Sequence, residues 1–291
     1  MIIVVVGPTG VGKTKMSIEL AKKYNAEIIN ADSTQIYEEI NIGTAKITDE
    51  EKENIKHHLI DICSLDDSYT VYDYQIDGRK IINQLEKEGK NIVIVGGSGL
   101  YLSALLYDYK FGKENNIYDF DSLSNEEIYD TLKNLGVDID KNNRQKLIQN
   151  YAKHVNNSEP IASEAGGKNL VYDTIIVGLT TERETLHKKI NARTDSQIEQ
   201  GLIHEVRHLF EKYPNSKELK TAICYKEFIP YLHHEAYLED VLIKIKQNCR
   251  QYARRQYTWL NHKMDVTWFD TNFNDFNSTI NEVIEYIETV K

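Results

Sequence analysis

Residues Gly7-Pro8-Thr9-Gly10-Val11-Gly12-Lys13-Thr14 spell a complete G-x-x-x-x-G-K-T loop. The apolar run Ile2 to Val6 leads directly into it, and Ile18, Leu20, Ala21 and Tyr24 follow with helical spacing. A strand turning through glycines into a helix is the setting this motif needs. Its glycines let backbone N–H groups crowd around an anion, Lys13 adds a point charge, and the Thr14 hydroxyl can ligate Mg²⁺. The loop therefore predicts a di- or triphosphate ligand, with Gly7, Thr9, Gly10, Gly12, Lys13 and Thr14 as its contacts and Thr14 as the metal ligand. It does not fix the reaction.

The pattern around the loop predicts an α/β fold: a P-loop-containing, doubly wound parallel sheet with a small helical insertion and a helical C-terminal region. Glu27 to Asn30 reads as a strand running toward Asp32, and Leu59 to Ile62 as a third strand. A helix is predicted from Val71 to Glu88, ended by Gly89. Asn91 to Val95 is continuously apolar after its first residue, as in a parallel strand buried on both faces. It runs into Gly96-Gly97-Ser98-Gly99 and a helix from Leu100 to Tyr107. Ligands of such sheets sit at the carboxyl ends of the strands. From about Phe111 to Lys168 the chain turns rich in Asn, Asp, Glu and Lys, with helices predicted at Asn125–Leu135 and Arg144–His154. The boundaries expected are residues 1–110 with 169–291 for the core, and 111–168 for the insertion. Sheet-like sequence returns at Asp173–Leu179, and Thr181 with Glu184 reads as a capping box. The rest is mostly helical, with a last apolar stretch from Val266 to Phe269.

Charge and composition narrow the partners. A net charge of −10 argues against a nucleic-acid partner in general. A local basic stretch argues the other way: Lys244, Lys246, Arg250, Arg254, Arg255 and Lys263, interleaved with Tyr252, Tyr257 and Trp259 and free of acids. No apolar run reaches the ~20 residues of a membrane span, and the N-terminal apolar stretch lacks a basic leader, so a soluble cytoplasmic protein is expected. Cys63, Cys224 and Cys249 match neither a disulfide framework nor a zinc site. The pairs His57-His58 and His233-His234 lack partners at metal-ligand spacing.

A nucleoside triphosphatase usually pairs this loop with a strand ending in an Mg²⁺-binding Asp. Here the strongest later strand ends in Gly96-Gly97-Ser98, and the acid at a strand end is Asp32. Asp32-Ser33-Thr34-Gln35-Ile36-Tyr37 is followed by Asn41-Ile42-Gly43-Thr44-Ala45-Lys46. With the P-loop and Gly96-Gly97-Ser98-Gly99-Leu100-Tyr101, these segments resemble the tRNA dimethylallyltransferases. The resemblance continues through Arg193, Gly201, Glu205-Val206-Arg207-His208-Leu209, Ile223-Cys224-Tyr225-Lys226-Glu227 and the run from Cys249 to Trp259. It implies transfer of a dimethylallyl group from its diphosphate to N6 of adenosine 37 in the tRNA anticodon stem-loop, by a monomeric enzyme using Mg²⁺. It further implies Asp32 as general base, and Lys13, Ser98 and Arg193 on the diphosphate. The RNA contacts implied are Ser33, Gln35, Lys46, Tyr225, Lys226, Arg250, Gln251, Arg254, Arg255 and Gln256.

The chain departs from the family pattern in places. The insertion is shorter, and Lys146 and Gln149 stand where the family has arginines. Ser98 replaces a Thr, Cys224 a Gly and Cys249 a Thr. These departures leave open a free adenine nucleotide as acceptor, or a non-catalytic RNA- or nucleotide-binding paralogue. A small-molecule kinase would instead turn over ATP.

Overall fold

The computed structural model describes residues 1–111, 123–137, 139–155 and 169–291. It divides into two compact units, one of Met1–Leu106 with Tyr172–Lys291 and one of Tyr107–Val171.

The larger unit is built on a six-stranded parallel sheet. Its strands are β1 (Ile2–Val6), β2 (Ala26–Asn30), β3 (His57–His58), β4 (Asn91–Val95), β5 (Thr174–Thr180) and β6 (Thr267–Asp270), in the order β3-β2-β4-β1-β5-β6. Every residue of β1 is buried, and it pairs with β4 (Ile2 opposite Ile92) and β5 (Ile2 opposite Thr174). A strand covered on both faces has no polar side to alternate with, hence Ile-Ile-Val-Val-Val. Helices α1 (Lys13–Tyr24), α2 (Val71–Lys87) and α3 (Gly99–Leu106) follow β1, β3 and β4. The core gathers Val5, Met16, Leu20, Ile28, Val93 and Val177 across the sheet, and Val283 and Ile287 from the C-terminal helix.

The smaller unit carries α4 (Asn125–Asn134) and α5 (Arg144–Val155). Ile128, Leu132 and Leu147 form its core. Ser124 and Glu127 cap α4 reciprocally. The Arg144 guanidinium donates to the Leu123 carbonyl and to Asn125 Oδ1, and Lys146 is exposed. Much of the predicted insertion (residues 112–122, 138 and 156–168) lies outside the described residues, as does the Gln149 side chain.

The remaining helices of the larger unit are α6 (Arg183–Glu199), α7 (Leu202–Lys212), α8 (Lys217–Thr221), α9 (Ile229–Leu232), the long α10 (Leu238–Lys263) and α11 (Phe276–Val290). Gly201, at φ 101°, breaks α6 from α7. Among the described residues no helix is long and apolar enough to cross a membrane.

Two local expectations need correction. Leu59–Ile62 is not a strand: pairing at that edge stops at His58, and Leu59 and Asp61 take positive φ of 58° and 54°. There Asn30 Nδ2 donates to the Leu59 carbonyl and draws it toward the end of β2. Thr181 does not cap α6, which starts from Glu182 without a side-chain cap. Capping boxes form instead at α2, Thr70 with Asp73, and at α4, Ser124 with Glu127.

Candidate active site

The carboxyl ends of β1, β2 and β4 are neighbours in the sheet, so the three segments leaving them converge. The phosphate loop leaves β1. Gly7, Gly10 and Gly12 have φ of 143°, 89° and 94°, and a Cβ on Gly7 would fall 2.5 Å from the Leu179 carbonyl oxygen. The loop therefore has room and backbone freedom only as glycine at these turns. Lys13 Nζ donates to the Pro8 carbonyl at 2.8 Å. Burial pushes its ammonium down to about 8, against the nearby Asp32 carboxylate, which raises it, and with Arg193, which lowers it further. Thr14 is exposed in the first turn of α1.

Asp32 leaves β2. Asn30, 3% exposed, shapes that turn: its side chain donates to the Asp32 carbonyl and accepts from the Asp32 N–H. The fully buried Tyr74 holds the Asn30 carbonyl through its hydroxyl at 2.9 Å. The Thr34 amide and hydroxyl both donate to Asp32 Oδ1, at 3.0 and 2.7 Å. That anchors one carboxylate oxygen and, among the described residues, leaves Oδ2 without a hydrogen-bond partner. Ser98 leaves β4, and its hydroxyl accepts from the Ser33 N–H at 3.0 Å and donates to Ser33 Oγ at 3.2 Å. Gly96 presses against the Ala31 carbonyl so closely that a Cβ would sit 2.1 Å from the oxygen. The Asp32 and Ser98 segments are thus packed backbone to backbone.

Arg193 comes from α6. Its guanidinium donates to Thr9 Oγ1 at 2.7 Å and to the Thr44 carbonyl at 3.0 Å. It joins the phosphate loop to a second loop, residues 41–46. That second loop is clamped by Glu205 of α7, whose carboxylate accepts the Asn41, Ile42 and Gly43 N–H groups and the Tyr225 hydroxyl. Gln197 Nε2 donates to the Ile42 and Gly43 carbonyls, and Gln35 Nε2 to that of Thr44.

The arrangement combines an anion nest, two cations and a carboxylate with one oxygen unengaged among the described residues. Among the described residues no three His, Cys, Asp or Glu side chains gather as a metal cage. A hard cation here would draw on hydroxyl and carboxylate oxygens and on the ligand's own phosphates, which is how Mg²⁺ is commonly held.

A family model described as IPP transferase matches residues 35–263. A tRNA dimethylallyltransferase of Anoxybacillus flavithermus is 41% identical over 302 residues, covering 99% of this chain and 96% of that protein. This chain belongs to the tRNA dimethylallyltransferase family. Its fold is similar to that of the tRNA isopentenylpyrophosphate transferase of Staphylococcus epidermidis, at 35% identity and a TM-score of 0.76, covering 100% of this chain and 99% of that one. It is also similar to a eukaryotic dimethylallyltransferase acting on tRNA, at 27% identity and a TM-score of 0.79, over 99% of this chain and 78% of that one.

Several residues that the resemblance to tRNA dimethylallyltransferases assigned to RNA face inward instead. Gln256 is 5% exposed; its Oε1 accepts the Thr9 N–H and its Nε2 donates to the Gly97 carbonyl, both at 3.0 Å. Tyr225 is fully buried, with its ring against Gly43 and its hydroxyl on Glu205. Lys46 is buried, with its ammonium on the Tyr37 carbonyl and the Asp61 carboxylate. These three brace the site. Arg250 is half-buried and donates to Asn191 Oδ1. Gln251, Arg254 and Arg255 are exposed and line an open groove along α10 with Trp259, His262 and Lys263. Ser33, Gln35 and Lys226 are half-buried. The aromatic residues of the basic stretch pack: Trp259 Nε1 donates to Ser103, Tyr257 pairs with Thr180, and Arg255 lies over the Tyr252 ring. Sequence reasoning missed Asn30, Gln197 and Glu205 as site-forming residues. The signal for Glu205 was its place in the family's E-V-x-x-L segment.

Replacing Gln256 with Ala strands the buried Gly97 carbonyl, at about 1–3 kcal/mol, and frees the part-buried Thr9 N–H. The denaturation midpoint is expected to fall and affinity for the donor diphosphate to weaken, whereas Arg254→Ala with Arg255→Ala should weaken RNA binding and flatten its salt dependence. Calorimetry with each ligand separates the two. Lys13 loses its proton as pH rises through about 8. Affinity for a non-reactive dimethylallyl thiodiphosphate should therefore fall about tenfold between about pH 7 and about pH 9. Lys13→Met should flatten that slope.

Proposed function

We propose that the protein transfers a dimethylallyl group from dimethylallyl diphosphate to the exocyclic N6 of adenosine 37 in the anticodon stem-loop of tRNA. The observation that carries this reading is the convergence of the phosphate nest, Lys13 and Arg193 with the half-engaged carboxylate of Asp32. An adenine amino group is a poor nucleophile, because its lone pair is delocalised into the ring. A carboxylate that accepts its proton as the bond forms meets that need.

In the reaction the allylic C–O bond breaks and its electron pair stays on the diphosphate oxygen. The N6 lone pair forms the new C–N bond, and the N6 proton passes to Asp32 Oδ2. Charge grows on the leaving diphosphate, and the donors that would meet it are the loop N–H groups, Lys13, Arg193 and the Ser98 hydroxyl, the last by turning from Ser33 Oγ. Below pH 8 Lys13 is mostly cationic, so it meets the leaving group as a charge. The Thr14 hydroxyl and the diphosphate oxygens would hold Mg²⁺, which supplies further positive charge to the leaving group. Adenosine 37 must leave its stack to reach Asp32. The exposed cations of α10 suit the anticodon-stem phosphates. We take the enzyme to act as a monomer in the cytoplasm.

The protein is expected to convert an A36-A37-A38 anticodon stem-loop to its N6-dimethylallyl form with dimethylallyl diphosphate and Mg²⁺, as read by nucleoside mass spectrometry. AMP should not compete. Asp32→Asn should lower kcat by about 10²–10⁴ with little change in donor KM. Efficient prenylation of AMP, or full turnover by the Asn variant, would count against the reading.

A further inference from the structure

Two thiols face each other under the site. Cys224 Sγ and Cys249 Sγ are 3.9 Å apart, and neither takes part in the chemistry above. Cys224 is 4% exposed and sits at φ 74°, a left-handed conformation unusual for a residue with a Cβ. Its N–H is held by Glu227, which also accepts from Asn248 of α10, so the turn and the helix are already tied at this point. Cys249 is half-buried and offers the route for a reagent. The two thiols share one hydrogen bond, with the charge of Arg193 nearby favouring a thiolate at this place. Cys249, the more accessible of the two, is the sulfur that meets a reagent, and the buried Cys224 is the resolving one.

We propose that Cys224 and Cys249 are a modification site that takes a reversible intramolecular disulfide, and that closing it slows the enzyme. The oxidant is a low-molecular-weight disulfide such as glutathione disulfide. The Cys249 thiolate attacks one of its sulfurs and expels a thiolate, giving a mixed disulfide. Cys224 loses its proton, attacks Cys249 Sγ and expels the second thiol, so that two electrons pass from the protein pair to the oxidant. Closure brings the sulfurs from 3.9 Å to about 2 Å.

Both ends of that movement are anchored in the site. The next residue after Cys224 is Tyr225, whose hydroxyl holds Glu205 and through it the Asn41–Gly43 loop. Seven residues after Cys249, on the same face of α10, is Gln256, which ties the two phosphate-side loops. Cys63 is buried elsewhere, under the loop at Tyr37, and serves as an internal reference.

The test treats the full-length protein with glutathione disulfide and reads intact mass, peptide mapping and stem-loop turnover before and after dithiothreitol. The expected product is lighter by two hydrogen atoms, carries a Cys224–Cys249 cross-linked peptide, and turns over about tenfold or more slowly, with full recovery on reduction. Cys249→Ser should give no loss of hydrogen and an activity that does not respond to the oxidant. A stable glutathione adduct on Cys249, or both thiols still alkylated by N-ethylmaleimide after treatment, overturns the site; a cross-link with unchanged turnover overturns its effect. The turnover arm rests on the function proposed above. Absence of prenyl transfer in the reduced protein counts against that function, whereas the mass result judges the thiol pair independently.

Discussion

The buried side-chain amide of Gln256 spans the phosphate loop and the glycine-rich segment after β4, accepting from Thr9 and donating to Gly97. The Gly97 carbonyl would otherwise be stranded in the interior, and the part-buried Thr9 N–H is fixed in direction. Because α10 delivers this amide, that long helix is part of the candidate site's floor as well as the carrier of the exposed Arg254 and Arg255. Gly97 leaves just enough room: a Cβ there would fall 2.2 Å from Gln256 Nε2. Helix, glycine and loop are therefore one packing unit, and the catalytic side chains inherit their positions from it.

A second clamp repeats the device with charge. Glu205 gathers three successive backbone N–H groups of the 41–43 loop, and Arg193 closes the gap from that loop to Thr9. Charge-assisted bonds of this kind are stronger than neutral ones. Loops normally carry the mobility of a site, but here two are held by side chains from α6, α7 and α10. That suits chemistry in which donors must already be aimed at the place where charge develops.

The sheet, and the meeting of the phosphate loop with the acid after β2, were legible in the sequence because they depend on local rules. The G-x-x-x-x-G-K-T spacing, the apolar runs of β1 and β4, and the acid after β2 each constrain the backbone directly. The orientation of Gln256, Tyr225 and Lys46 was not legible. Each is a long polar side chain that suits RNA as well as a buried backbone partner, and only tertiary packing decides between them. The Leu59–Ile62 run failed for a related reason. Its apolar residues satisfy a strand pattern, yet the neighbouring backbone is claimed by the Asn30 side chain and turns left-handed. The family resemblance carried residue identities along the chain but not the directions in which side chains point.

On the proposed reading the chemistry hangs on one forming bond: the nest would draw diphosphate from the allylic carbon while the carboxylate would take the proton from N6. The most direct measurement is a crystal structure of the protein with a dimethylallyl thiodiphosphate, Mg²⁺ and an anticodon stem-loop. The account predicts the thiodiphosphate on the Gly7–Thr14 loop, with Asp32 Oδ2 about 2.6–3.2 Å from N6 of the extruded adenosine. A carboxylate of Asp32 turned away from N6, or a diphosphate bound outside the loop, would contradict it.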